Sequence, residues 1–229
     1  MINLVKDITN LFYPEVCLIC SKTLTKHEVH LCLSCRLDLP VTDFSANAGN
    51  DVEISFYGRV PIINATSLFY YNRKGNVQKL IHQLKYKNQQ KIGYFLGEWL
   101  GEEMLASDRF KSLDCIIPVP IHPKKLKKRG YNQVTTFGQG LSKKMKIPLN
   151  EMELFSVSKT KTQTFKTRLE RSTQIDEKFQ ITNQERLEGK HILLIDDVIT
   201  TGATLEACSI PLLQVKNIKI SIATIAFTV

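Results

Sequence analysis

Fourteen residues near the C-terminal end restrict the fold more than any other part of the chain: His191-Ile-Leu-Leu-Ile-Asp196-Asp197-Val-Ile-Thr200-Thr201-Gly202-Ala203-Thr204. Four apolar residues make a buried strand. Two adjacent carboxylates follow, and then a turn of hydroxyls and glycine that opens a helix. Backbone N–H groups at such a turn, with the helix N-terminus and the hydroxyls of Thr200, Thr201 and Thr204, form a cradle for a phosphate. Gly202 lets the backbone come close to it. Asp196 and Asp197, at the end of the strand, can accept hydrogen bonds from the vicinal hydroxyls of a sugar. A phosphate and a diol held one sugar apart describe a ribose 5-phosphate site. The simpler reading is a strand, an acidic turn and a capped helix. Asp-Asp alone would fit it, but the whole pattern is hard to reach by chance.

Other elements alternate in the same style. Ala65 to Tyr71 reads as a strand, Asn76 to Leu105 as helical, Cys115-Ile-Ile117 as a short buried strand ended by Pro118 and Pro120. Asn132 to Met145 reads as a helix, Phe155 to Val157 as a short strand, and Ile218 to Phe227 as the last strand. The helix from Ala203 must end or kink at Pro211. Alternating strands and helices predict an α/β domain with a mostly parallel sheet flanked by helices. With 229 residues, one large domain or a medium domain with a small appendage fits. The polar stretch 43–58 reads as a linker or long loop. This divides the chain into a small module over 1–45 and a main domain over 60–229.

The small module carries two C-x-x-C pairs, Cys17/Cys20 and Cys32/Cys35. Each pair on a tight turn brings two thiolates to one ion, and four sulfurs satisfy tetrahedral Zn²⁺ with no open position, so the reading is a structural zinc site. Two disulfides or redox pairs compete. A reducing compartment argues against the disulfides, and a thioredoxin-like pair would be single and inside a βαβ unit. His27 or His30 could replace a cysteine, but both fit turn or surface roles better. Cys115 and Cys208 read as buried core residues. Met1 to Tyr13 reads as a short amphipathic helix and not as a signal peptide. No apolar run is long enough to span a membrane, and the expected location is the cytosol.

The formal charge of +9 points to an anionic partner. It is unevenly placed: residues 1–60 carry −2, residues 73–178 carry +12, and residues 179–229 carry −1. Four thiolates around one Zn²⁺ would take the module to −4, a poor phosphate binder. The positive charge peaks at Lys124-Lys125-Leu-Lys127-Lys128-Arg129, read as a basic loop facing pyrophosphate or a nucleic-acid strand, or simply solvated. Lys85 and Lys87 form a second basic point.

The stretch around Asp196 and Asp197 resembles the signature of type I phosphoribosyltransferases. The wider combination adds the four cysteines, Leu84-Lys-Tyr-Lys87, Ile117-Pro-Val-Pro120, Arg129-Gly-Tyr-Asn-Gln133 and Gln163…Arg171…Phe179. Together these resemble the ComF family over nearly the whole chain. That family is bacterial and cytosolic, linked to natural competence, and carries phosphoribosyltransferase-like proteins of undefined acceptor. The resemblance implies a type I phosphoribosyltransferase fold with an N-terminal zinc module. It implies Mg²⁺ with phosphoribosyl pyrophosphate, held by Asp196 and Asp197 at the ribose and by Thr200, Thr201, Gly202, Ala203 and Thr204 at the 5-phosphate. Lys85 and Arg129 would lie on the pyrophosphate side. Gln163 to Phe179 would be the loop that closes over the reaction, with Arg168 and Arg171 either stabilising the departing pyrophosphate or standing as surface charges. Two departures stand out. Gln174 occupies a place where asparagine is usual, and Pro211 lies where a helix normally continues. An amidotransferase branch is disfavoured because position 2 is isoleucine instead of a catalytic cysteine.

Two functions follow. One is a phosphoribosyltransferase of the glycosyltransferase class, in nucleotide metabolism. The other is a non-catalytic ribose-phosphate-binding scaffold that carries single-stranded DNA along Lys124–Arg129 and works with the DNA-uptake machinery. Tyr131 is the aromatic residue beside that run.

Overall fold

The computed structural model describes residues 14–87, 89–157 and 179–228. The anticipated helix of Met1 to Tyr13 lies outside these residues, as do Arg168, Arg171, Gln174 and nearly all of the anticipated closing loop. Among the described residues there are six strands: β1 (Ala65–Tyr71), β2 (Cys115–Pro118), β3 (Leu154–Ser156), β4 (Phe179–Ile181), β5 (His191–Ile199) and β6 (Lys219–Thr228). The main sheet runs β1-β6-β5-β2, every neighbouring pair parallel, and β3 and β4 form a separate antiparallel pair. The helices are α1 (Leu33–Leu37), α2 (Asp51–Phe56), α3 (Asn76–Tyr86), α4 (Gln90–Leu105), α5 (Pro123–Arg129), α6 (Gln133–Met145) and α7 (Ala203–Leu212).

Strand β5 shows why the sheet is central. Its residues alternate between two cores, Leu193 and Ile195 in one, Ile192 and Leu194 in the other. Burial on both faces demands an unbroken apolar run, and a parallel sheet covered by helices supplies that setting. Helices α3, α4 and α6 fill one side, together with Cys17, Leu31, Cys32 and Leu39 of the cysteine module. Helices α2 and α7 fill the other. The sheet edges are covered. Residues 40–42 run beside β1, with Thr42 N–H donating to Leu68 and Tyr70 N–H to Pro40. Residues 148–150 run beside β2, through Ile116 to Pro148 and Asn150 to Ile116.

Three differences from the sequence reading have local causes. The helical stretch 76–105 is two helices, because the polar run 87–91 offers nothing to bury in line with the first. The stretch 43–58 is no loose linker. It contains α2, capped by the Asn50 side chain accepting the Glu53 N–H, with Val52 and Phe56 fully buried. Arg109 ties this strap down, donating to the Phe44 and Asn47 carbonyls at 2.9 and 2.7 Å and pairing with Glu53. The basic run Lys124–Arg129 is helix α5, not a loop. His122 Nδ1 accepts the Lys124 N–H, Pro123 sits in the first turn, and Gly130 closes the end at φ 79°, its N–H bonded to Leu126.

Helices α4 and α6 touch backbone to backbone. A Cβ on Gly97 would lie 2.1 Å from the Phe137 carbonyl oxygen, and one on Gly140 would lie 2.1 Å from that of Tyr94. This contact sets α6, and with it Gln133, at a fixed height against the sheet.

Glu103, on α4, is pushed up to about 7 by burial and, less, by Asp43, against a hydrogen bond to Trp99. A folded-state value above the unfolded one makes stability fall as pH rises from about 4.5 to 7. Glu103→Gln is therefore expected to stabilise the protein at pH 8 by on the order of 1 kcal/mol, after discounting for partial exposure. It should change little at pH 4. Denaturant titrations at the two pH values check this, and an equal effect at both would contradict it.

Candidate functional site

Strand β5 continues past the four apolar residues and carries the acid pair within the ladder, Asp196 opposite Thr224. Asp197 is only 7% exposed. Its Oδ2 receives the Lys85 Nζ at 2.8 Å and the Gln133 Nε2 at 2.7 Å. Gln133 in turn accepts from Arg129 Nη1 at 2.8 Å. Lys85 and Arg129, both named from sequence, thus reach the acid pair, Lys85 directly and Arg129 through Gln133. Gln133 was missed as a site residue. Its signal was its place in the first turn of α6, directly after the capping Asn132.

Asp196 Oδ1 accepts the Asp197 N–H at 2.8 Å. Burial first, and then the Asp197 charge, push the Asp196 carboxyl up to about 8, against the pull of Lys85 and Lys125. Two carboxylates this close resist holding two charges. Donors on a ligand, or a cation, would relieve the repulsion.

The hydroxyl and glycine turn follows directly. Thr200 and Thr201 are exposed, and Gly202 adopts φ 74° as the residue preceding α7. Thr201 Oγ1 accepts the Ala203 N–H at 3.4 Å. The turn leans on the strap. A Cβ on Gly202 would meet the Phe56 ring at 3.1 Å. Arg59 Nη1 donates to the Thr201 carbonyl at 3.0 Å, and Arg59 pairs with Glu206. Phe56 and Arg59 were invisible to local reading, since their partners lie more than 140 positions away.

Helix α5 divides the basic run by face. Residues four apart share a side. Arg129 reaches Gln133, and Lys125, four residues earlier, acts on Asp196. Lys124 and Lys128 share a different side. Tyr131 is already engaged, its hydroxyl donating to the Leu84 carbonyl. An exposed ring beside Arg129 is Tyr86, 57% exposed, with His82 at 5.0 Å and the Arg129 guanidinium at 5.3 Å.

The second candidate centre is the cysteine cluster. The sulfurs of Cys17, Cys20, Cys32 and Cys35 all lie within 4.8 Å of one another, and Cys20 and Cys32 are 3.7 Å apart. Tetrahedral thiolates about 2.3 Å from one zinc ion would stand about 3.8 Å apart, so this donor set could hold that metal. All six cysteines are free thiols. Burial raises the Cys17 thiol, but N–H donors from Cys20, Cys32 and Ile19 outweigh it and bring it down to about 6. Burial and the neighbouring sulfurs push Cys35 far up. His30 is turned away to pack edge-on against Phe95 at 5.7 Å, and Arg36 stacks over Trp99 at 4.7 Å. The module thereby docks on α4. Among the described residues, no helix is long and apolar enough to cross a membrane.

Comparison with known proteins agrees with this geometry. The phosphoribosyl transferase domain family matches residues 135–228. The DNA utilization protein YhgH of Shigella flexneri is 31% identical over 128 residues, 55% of this chain and 56% of its own. Competence protein F of Haemophilus influenzae is 31% identical over 134 residues, 57% of this chain and 58% of its own. The match therefore spans just over half the length of these curated relatives. A solved glutamine phosphoribosylpyrophosphate amidotransferase from B. subtilis, complexed with ADP and GMP, overlaps 57% of this chain and 25% of its own. Its identity is 18% and its TM-score 0.40. The chain is a homologue of Competence protein F and of the DNA utilization protein YhgH, proteins of the ComF family, and it carries a type I phosphoribosyl transferase domain.

Proposed function

We propose that the acid pair and the Gly202 turn bind phosphoribosyl pyrophosphate with Mg²⁺, and that the protein transfers the phosphoribosyl group to an acceptor. The observation that carries this reading is the convergence of Asp196–Asp197, Lys85 and Gln133–Arg129 on the strand that ends in the turn. Asp196 and Asp197 would accept from the ribose hydroxyls. The N–H groups of the turn, with Thr200, Thr201 and Thr204, would hold the 5-phosphate. Lys85, Lys125 and Arg129 would offset negative charge as pyrophosphate departs. Mg²⁺, when bound, supplies charge neutralisation of the diphosphate. The setting would be the cytosol.

Calorimetric titration with phosphoribosyl pyrophosphate and Mg²⁺ tests the reading. Wild type is expected to bind, and Asp196→Asn/Asp197→Asn to lose at least about tenfold in affinity, the scale of one charged hydrogen bond. Wild-type protein that does not bind refutes it.

The cysteine cluster is proposed to hold one structural zinc ion. Four sulfurs leave no open position for chemistry, and the negative module suits a clip on α4 better than a phosphate reader. Elemental analysis should find about one zinc per chain in fresh protein. Cys20→Ser, or a chelator, should lower the melting temperature. A content under half would count against the metal.

A second reading, single-stranded DNA binding, draws on the exposed lysines Lys124, Lys127 and Lys128 of α5 and on the exposed Tyr86 ring beside Arg129. The relatives' names, DNA utilization and competence, suit it. Lys124→Ala/Lys127→Ala/Lys128→Ala should weaken DNA affinity and reduce its salt slope by about 2 to 3. Tyr86→Ala should weaken binding at every salt concentration. Unchanged affinity and slope in both variants would remove this surface from the reading.

A further inference from the structure

Arg59, which directly follows the strap, lies outside every part of the site read from sequence, yet its guanidinium is fixed on several sides. Nη1 donates to the Ser55 and Thr201 carbonyls, both at 3.0 Å. Nη2 pairs with Glu206, and the guanidinium carbon lies 5.9 Å from the centre of the Phe56 ring. The strap itself is clamped by Arg109 through Glu53 and the Phe44 and Asn47 carbonyls.

Two consequences follow for the turn. A trans peptide is planar, with its C=O and N–H pointing opposite ways. With the Thr201 carbonyl held by Arg59, the Gly202 N–H must face away from the strap. Glu206 is the acidic residue in the first turn of α7. A carboxylate there suits the helix dipole, but it repels an anion arriving at the same helix end. Arg59 sets a positive charge directly against it.

We propose that Arg59 is a positioning residue for the phosphate end of the site. It orients the Thr201–Gly202 peptide and neutralises Glu206, so that the turn accepts a phosphate monoester. The inference rests on the ribose-phosphate reading of the same site, and the experiment separates the two.

Calorimetry with ribose 5-phosphate probes the turn, and calorimetry with Mg²⁺–pyrophosphate probes the Lys85 side. Arg59→Ala should lower ribose 5-phosphate affinity by about tenfold, the scale of one charged interaction, and leave pyrophosphate affinity within a factor of two. A purely structural role would lower both together. Arg59→Ala/Glu206→Gln should recover part of the loss, because the repelling charge is gone while the peptide remains untethered. Arg59→Lys keeps the charge without the bidentate fork. It should fall between wild type and Arg59→Ala, and it serves as the test if Arg59→Ala does not fold. Arg59→Ala, or Arg59→Lys in its place, binding ribose 5-phosphate as tightly as wild type overturns the role of Arg59 alone. Wild type that binds pyrophosphate but not ribose 5-phosphate overturns both this role and the phosphate assignment of the turn.

Discussion

A carboxylate buried as deeply as Asp197 cannot stand alone, and much of the molecule is arranged around its partners. Removing one member of such a pair costs on the order of 3 kcal/mol. Lys85 must therefore arrive from the last turn of α3, and Gln133 from the first turn of α6. Those two requirements fix where both helices end against β5. The backbone contact between α4 and α6 at Gly97 and Gly140 then holds α6 in that position. The same interactions that satisfy the buried charge are the ones that shape the candidate site.

The opposite face depends on the strap. Its backbone is tied down by side chains: Asn50 Nδ2 lies within bonding distance of the carbonyls of Phe44, Asn47 and, on β1, Ala65, and Arg109 from outside the strap donates to those of Phe44 and Asn47. Asparagine, glycine and aspartate in a row look the same in sequence whether they line a loose linker or a pinned turn. That is why residues 43–58 read as a linker. The distinction lies in partners such as Ala65, Arg109 and Thr201, which no local pattern reveals.

Legibility follows the range of the interaction. β1, β5 and β6 were readable because burial on both faces leaves runs dominated by apolar residues, with only small hydroxyl side chains such as Ser67 and Thr224 buried among them in β1 and β6. The acid pair and the turn were readable because strand, carboxylates, glycine and helix start are neighbours in sequence. The four cysteines were readable because metal geometry requires short spacing, and their sulfurs do converge. Helix α5 was misread for another reason. Its Pro123 and Gly130 are sound start and stop signals, but between them Leu126 is the sole apolar residue, so there is no apolar period to detect. Gln133, Phe56 and Arg59 owe their places to tertiary contacts.

The helical form of the basic run also changes what its charge can do. As an extended loop, five cations in six positions would follow one polyanion. Wound into a helix, successive residues turn by about 100°, and the cations separate into groups. Lys125 offsets the charge at Asp196, and Arg129 holds the Gln133 amide that bonds Asp197. Lys124 and Lys128 share a side about a quarter-turn round, and Lys127 lies opposite the first group. The proposed diphosphate at the acid pair would account for the first group and leave the second without a role. A second anion, reaching past the site along α5 and over Tyr86, would use what remains. A small charged ligand and a longer one thus need not compete for the same cations, and a protein of this shape could hold both at once.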